Sequence, residues 1–359
     1  MNYRLDTTLL MTWLLILAVG TVMVASATIV KADSYFYKHV LFLVLSCGGF
    51  LAALMLPLQL WEKLSRVALL MAIALCALVL FVGEARLGAQ RWIAVGGFSI
   101  QAGEAAKPLM LLYFAGYLTR FHDEIALDPL ITIRLLGTFA LVAVLLLLEP
   151  DFGTVVVLAI TFCSLLFLAG VRLRHFLLVA LLGAGLLAAL AVVEPYRMAR
   201  LVGFLDPWAD PADTGYQLTQ ALIGFGRGEF FGIGLGESVQ KVHYLPEAHT
   251  DFIFAVFAEE LGALGALGLL GLFLVLIMRL LRIAAQAVKA GEIFASYLVY
   301  GITLLLGIQC LINVGVNIGV LPTKGLTLPF VSYGGNSLII CCTLLGLSLI
   351  HISEPTRPT

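Results

Sequence analysis

Long apolar runs separated by polar breaks dominate the pattern along this chain. A helix needs roughly 20 apolar residues to cross the hydrocarbon core of a bilayer. Such runs fall near 9–30, 39–58, 66–83, 106–119, 130–148, 153–170, 175–193, 252–278, 293–320 and 336–352. The predicted fold is therefore all-α: a polytopic integral membrane protein of about ten transmembrane helices, forming one domain over 1–359. The first run exceeds the roughly 7–15 residue core of a signal peptide, so it is expected to stay as a membrane anchor. A stretch of 57 residues, 194–250, lies between the seventh and eighth runs. Loops of such length usually carry function. The polar, proline-bearing end at 353–359 is expected to be a disordered or appended tail.

Composition agrees with this class. The chain is 61% hydrophobic and 12% charged, against roughly 45–50% and 25% for soluble domains. Its net charge of −1, with no basic cluster interleaved with aromatics, gives nothing to attract nucleic acid. Cys47, Cys76, Cys163, Cys310, Cys341 and Cys342 all lie in apolar runs without metal-ligand spacing, so neither disulfides nor zinc are implied.

Charge sets the orientation. With the long outer segments 84–107 and 194–250 set aside, one side keeps Arg4, Lys63, Arg66, Arg120, Arg134, Arg172, Arg174, Arg279, Arg282 and Lys289. The other keeps Lys31, Lys38 and Lys324, so both ends are placed in the cytoplasm. The long outer segments remain basic, which suits a phosphate-bearing lipid ligand.

Five constellations could carry chemistry. Arg86 through Ile93 leads past a tight turn at Gly96-Gly97 to Glu104 and Lys107, as a short re-entrant or interfacial segment. Glu104 and Lys107 are three apart and share a helix face, so they can pair. Arg91, Trp92 and Lys107 read either as headgroup-level anchors or, for the two cations, as diphosphate ligands. Glu149-Pro150-Asp151 could hold a metal, but the plainer reading makes Asp151 the cap of a helix starting at Gly153. In the long loop, a short amphipathic helix is expected at Gln217–Gly224, followed by Gly232, Gly234 and Gly236, which suit close packing or flexible closure.

The fourth constellation, Pro246 through Ala255, places Asp251 where a polar loop meets an apolar run. Asp251 reads either as a reactive acid at the mouth of the membrane or as the cap of the next helix, whose dipole would favour its ionised form. Glu259 and Glu260 follow about two turns on, within the membrane run, where acids are usually functional or paired. The fifth joins Asn313 and Asn317, four apart on one helix face, to an irregular outer stretch from Gly319 to Ser337. Such a stretch is tolerated at membrane depth only when protein-buried or lining a cavity.

Taken together, Ala89-Gln90-Arg91-Trp92-Ile93, Pro150 through Thr154, Tyr244 through Ala255 and Pro322 through Asn336 closely resemble the SEDS family (shape, elongation, division and sporulation proteins) over nearly the whole chain. Glu247 through Asp251 and Leu321 through Pro329 resemble its division-type rather than its elongation-type members. Ala102-Gly103 departs from the residues many relatives carry before the acid at Glu104.

That resemblance implies an inverting lipid II glycosyltransferase, a peptidoglycan polymerase of the bacterial inner membrane working on the periplasmic side at the division septum. Asp251 matches the family's essential acid, as base or as ligand of a divalent cation, Mg²⁺ or Mn²⁺. Arg91, Glu104, Lys107, Lys241, His249, Thr250, Glu260, Lys324 and Ser332 are the candidate substrate-binding residues. The implied partners are a class B penicillin-binding protein, the septal transpeptidase, and other division proteins. A partner helix could use the small-residue stripe Gly262, Ala263, Gly265, Ala266, Gly268 and Gly271. Two other readings stand beside this one, a lipid II flippase and a non-catalytic division scaffold. A flippase needs polar groups through the full membrane depth, whereas acids and amides here gather toward the outer half.

Overall fold

The computed structural model describes residues 6–29, 34–86, 89–95, 98–193 and 195–350. The Gly96-Gly97 turn and the 353–359 tail lie outside them. A helix stands at each of the ten expected positions: α1 (Thr7–Thr28), α2 (Ser34–Met55), α3 (Leu58–Val82), α4 (Ala102–Arg120), α5 (Pro129–Leu148), α6 (Phe152–Leu168), α7 (Leu173–Val193), then α10 (Ile253–Lys289), α11 (Ile293–Asn317) and α12 (Gly335–Leu349). Among the described residues, seven of them (α1, α2, α3, α5, α7, α10 and α11) are long and apolar enough to cross a membrane. The chain is a multi-pass membrane protein. The apolar helices α6 and α12 are shorter, at 17 and 15 residues, and α4 carries the buried pair Glu104 and Lys107.

Local chemistry starts these helices where the sequence changes from polar to apolar. Asp6 accepts the Leu9 N–H at 2.9 Å ahead of α1. Asp128 accepts from Leu130 at 2.8 Å, with Pro129 in the first turn of α5. Asp151 caps α6, accepting from the Thr154 N–H at 3.3 Å and its hydroxyl at 2.9 Å. A capping oxygen of this kind is worth on the order of 1 kcal/mol. The centre of the bundle is α11, most of whose residues are buried. At the opposite extreme, α7 has no buried residue and packs at the edge against α6 and the loop helix α8 (Pro195–Leu205).

Two outer segments differ from the sequence expectation. Residues 84–101 form an antiparallel sheet, β1 (Glu84–Arg86), β2 (Ala89–Val95) and β3 (Phe98–Gln101), in that order. The described residues are thus three short strands, which neither the re-entrant nor the interfacial reading of this segment specified. The 194–250 loop is largely helical, with α8 (Pro195–Leu205), α9 (Tyr216–Gly228) and one π-helical turn at Gln240–Tyr244. The expected amphipathic helix is α9, and α8 adds a second.

The longest helix, α10, is broken at Gly262, whose φ of +68° is a left-handed conformation that favours glycine. A Cβ there would stand 2.4 Å from the Gly232 nitrogen. The break frees backbone groups, and the loop after α9 takes them up. Ile233 and Gly234 N–H donate to the Glu259 and Glu260 carbonyls, both at 3.1 Å. Ala263 and Leu264 N–H donate to the carbonyls of Glu229 and Phe230, at 2.9 and 3.2 Å.

Glu259 and Glu260, both fully buried, fasten the same loop through their side chains. Glu259 accepts from the Ser238 hydroxyl and, at 3.3 Å, from the Val239 and Gln240 N–H groups. Glu260 meets the Lys241 ammonium at 2.7 Å and the Ser26 hydroxyl of α1 at 2.6 Å. Removing one partner of such a buried pair costs on the order of 3–5 kcal/mol, because the remaining charge has no counter-ion. Lys241→Met should therefore lower the thermal unfolding midpoint in detergent, and adding Glu260→Gln should restore part of it. An unchanged midpoint in the single variant would show that the pair does not hold the loop.

Candidate active site

The turn before α10 is held by α11 rather than by its own side chains. Asn313 and Asn317 Nδ2 each donate to the Asp251 carbonyl at 2.9 Å. Asn317 Oδ1 accepts the Ala255 N–H at 3.1 Å, the bond a capping residue would supply. The cap position itself is Phe252, without a side-chain cap bond. Of the two readings of Asp251, reactive acid or cap, the cap falls away: an amide 62 residues away in sequence does that work. Asn313 also donates to the Leu326 carbonyl at 2.6 Å, so the same two amides tie the 319–334 stretch to the mouth.

Freed from capping, the Asp251 carboxyl takes its character from its surroundings. Burial pushes its pKa up to about 7, the neighbouring Glu247 charge adds to the shift, and Arg200 opposes it. The sequence reading expected the helix N-terminus to favour the ionised form. Desolvation and a like charge outweigh that dipole here. Backbone approaches the acid from below, for a Cβ on Gly325 would lie 3.2 Å from Asp251 Oδ2. A glycine at that position leaves the acid room.

Three more of the candidate residues bind the mouth together. Ser332 Oγ donates to the Thr250 carbonyl and accepts the Leu328 N–H, both at 2.7 Å. Thr250 Oγ1 donates to the Glu247 carboxylate at 2.7 Å. The His249 carbonyl accepts the Tyr333 N–H at 2.9 Å, and its buried ring packs near Tyr35 and Tyr333, at 5.7 and 5.4 Å between centroids. Lys324 adjoins Gly325 and lies over the Phe152 ring at 3.7 Å. Arg200, on α8, donates to the Thr323 carbonyl at 3.2 Å, which brings a second cation to the same rim.

The remaining candidates sit elsewhere. Lys241 Nζ donates to Ser26, Gly236 and Glu260, so none of its three protons is left for a phosphate. Glu260 is committed to the same cluster. Arg91 donates through Nε to the Glu149 carbonyl at 3.0 Å and through Nη2 to the Pro150 carbonyl, bracing β2 against the α5–α6 turn. Lys107 is almost fully buried, which does not fit a headgroup anchor. It pairs with Glu104 at 2.7 Å, as the spacing foresaw, and with Gln309 at 3.0 Å. Gln309 continues to the Thr327 carbonyl at 3.0 Å, and Thr327 to Ser337 at 2.8 Å. This polar line reaches the 319–334 stretch from beneath, two residues beyond Gly325.

Glu149 is a second perturbed acid at the outer rim. Neither carboxylate oxygen has a hydrogen-bond partner of good geometry. Burial first and Asp151 second push its pKa up to about 8, while the nearby Cys76 thiol and Arg91 pull the other way. Among the described residues no trio of His, Cys, Asp and Glu side chains gathers as a metal site.

Comparison with known proteins places this geometry. A family model described as cell cycle protein, covering FtsW, RodA and SpoVE, matches residues 6–357. The chain belongs to this family, the SEDS proteins. It is 49% identical over 355 residues to a probable peptidoglycan glycosyltransferase FtsW of Nitrosococcus halophilus, covering 95% of this chain and 90% of that protein. A protein of the same description from Coxiella burnetii is 45% identical, covering 97% and 96%. Among solved structures, this SEDS chain superposes with a TM-score of 0.82 and 31% identity on a chain of a peptidoglycan synthase complex that coordinates polymerization and crosslinking, covering 97% and 98%. Thermus thermophilus RodA, the rod shape determining protein, gives 0.75 at 27% identity, covering 99% of each chain.

Arg200 and Glu247 were absent from the site predicted for this SEDS chain, and Asn313 and Asn317 had no role there beyond sharing a face. The amphipathic pattern of 195–205 was the available signal for Arg200. Asn317→Ala removes both a donor to the Asp251 carbonyl and the acceptor that caps α10. It should lower polymerase activity by about 10- to 100-fold through misplacement of the acid, and stability by about 1 kcal/mol. A steady-state rate beside a thermal unfolding curve separates the two effects. Full activity in that variant would mean that the acid needs no such anchor.

Proposed function

We propose that this chain is a peptidoglycan glycosyltransferase that polymerises lipid II on the periplasmic face of the bacterial inner membrane, at the division septum. The observation that carries the reading is Asp251: an acid with a pKa near 7, its backbone fixed by two amides, with Arg200 and Lys324 at the same rim. The relatives named as FtsW glycosyltransferases support the reaction class.

In this reaction the 4-hydroxyl of one GlcNAc attacks the anomeric carbon of a MurNAc. The new glycosidic bond forms as the bond to undecaprenyl diphosphate breaks, and the anomeric configuration inverts. Asp251 takes the hydroxyl proton as the bond forms. A general base is best matched when its pKa lies near the working pH, and about 7 meets that condition. Lys324 and Arg200 are the cations placed to receive the departing diphosphate, by charge and, for Arg200, by its planar donor fork. In the alternative role, as ligand rather than base, Asp251 would hold a Mg²⁺ or Mn²⁺ with Glu247 and the substrate phosphates, since Mg²⁺ commonly binds through one or two carboxylates plus phosphate oxygens. When bound, such a cation would neutralise charge growing on the leaving group.

The partner is proposed to be a single-pass class B penicillin-binding protein, the septal transpeptidase. The solved complex that coordinates polymerization with crosslinking supports such an assembly. On the small-residue face of α10, Gly268 and Gly271 have open space where a Cβ would stand, whereas a Cβ on Gly265 would meet the Leu261 side chain. Gly268→Leu should therefore weaken co-purification with the transpeptidase in detergent. Undisturbed binding would move the interface to another helix.

Asp251→Asn keeps the shape and removes the base, so it should cut lipid II polymerisation by roughly 10²–10⁴-fold. The parent rate should rise about tenfold per pH unit up to about 7 and level off above it. Stability runs the other way. Between the ordinary carboxylate value of 3.8 and about 7 the folded state holds a proton that the unfolded state has released, so stability falls as pH rises through that window. Asp251→Asn should consequently unfold at a higher temperature than the parent above pH 7. A variant that polymerises at full rate would place the base elsewhere. Polymerisation should also fall in chelator. An undiminished rate there would leave the leaving group to Lys324 and Arg200 alone.

A further inference from the structure

Two polar latches set the level of the long loop against the membrane. α1 and α10 lie side by side. At one end Arg279 pairs with Asp6 at 3.8 Å and donates to the Thr8 hydroxyl. At the other, Ser26 donates to Glu260, which also meets Lys241. From Thr8 to Ser26 the helical rise of α1 gives roughly 27 Å. That matches the hydrocarbon core of a bilayer, roughly 30 Å thick. The latches thus mark its two edges, and the exposed Leu264, Leu267, Leu274 and Met278 of α10 lie between them.

The loop segment 229–235 is fixed at the outer of these edges by its four backbone bonds to the Gly262 break. Gly232 N–H is also satisfied, by the Gly228 carbonyl at 2.7 Å. Irregular backbone can sit at this depth only when so paired. From the segment, Phe230 and Phe231 point outward, 63% and 81% exposed, with their rings 6.2 Å apart, and Leu235 is 54% exposed. Phe230 is joined through its carbonyl to Leu264, so the aromatic pair continues the exposed apolar surface at the outer end of α10. Left in water, the two phenylalanines would forgo the gain from burying their apolar rings.

We propose that Phe230 and Phe231 insert among the acyl chains at the outer-leaflet boundary, making 229–235 a membrane anchor within a loop otherwise assigned to the aqueous side. The anchor fixes the depth of the first turns of α10, and with them the mouth that holds Asp251. Its occupant is lipid, independent of the reaction the mouth performs.

The test places 4-trifluoromethyl-phenylalanine at position 231 in the full chain, reconstituted in phosphatidylglycerol–phosphatidylethanolamine nanodiscs. Fluorine relaxation is read with dissolved oxygen, which partitions into lipid, and with a water-soluble nickel chelate. Oxygen should dominate at 231, and the ratio should invert for the same probe at Ala212, in the exposed polar turn 210–214. Nickel relaxation at 231 equal to that at 212 overturns the proposal. In native membranes, p-benzoylphenylalanine at 231 should photo-crosslink phospholipid. A protein adduct in place of lipid would instead make the pair a docking site for a partner helix, and would equally overturn it.

Discussion

The irregular stretches around Asp251 and the break in α10 depend on one constraint: their backbone polar groups must be paired inside the protein. Hydrocarbon offers no alternative partner, and an unpaired group costs several kcal/mol there. The break in α10 is possible because residues 229–234 supply the missing donors and acceptors. The turn at Asp251 is possible because Asn313 and Asn317 take its carbonyl and cap the helix that follows. The descending stretch 319–334 is pinned by the same amides and by Ser332. Once these demands are met by distant groups, the Asp251 side chain is not needed as a cap.

The buried charges divide along similar lines. Glu259, Glu260 and Lys241 face one another or the loop backbone, and their proton and lone-pair capacity is consumed in shaping it. Glu104 and Lys107 form a second internal pair, from which a line of hydrogen bonds runs to Thr327. Replacing a buried ion pair with apolar residues is often neutral or stabilising, so such pairs are better understood as setting a unique arrangement than as adding strength. Asp251 differs from all of them. Its perturbation comes from desolvation and a like charge, the combination that marks a functional-site candidate.

The helices were legible because membrane crossing imposes a length and a composition that any reader of the sequence can count. The pairing of Glu104 with Lys107 was legible as well, since three residues on a helix is a local relation. The sheet at 84–101 was not, because its strands are only three to seven residues long and show little alternation. Asp251 stood open between a reactive acid and a cap for a different reason. A polar residue before an apolar run is the ordinary local signal for a cap, and the true acceptor, Asn317, lies on another helix. Lys241 looked available to a phosphate for the same reason: its partners, Ser26 and Glu260, come from helices far along the chain.

The paired fastenings between α1 and α10 have a consequence for the membrane itself. Two helices riveted together at both ends cannot slide past one another or tilt independently to suit a thicker or thinner bilayer. Hydrophobic mismatch must then be met by tilt of the pair together or by the lipid, at fractions of a kcal/mol per Å. A protein of this kind carries its own gauge of bilayer thickness. Acyl-chain length would thereby become a physical variable in where, along a membrane of uneven composition, the chain is most at ease.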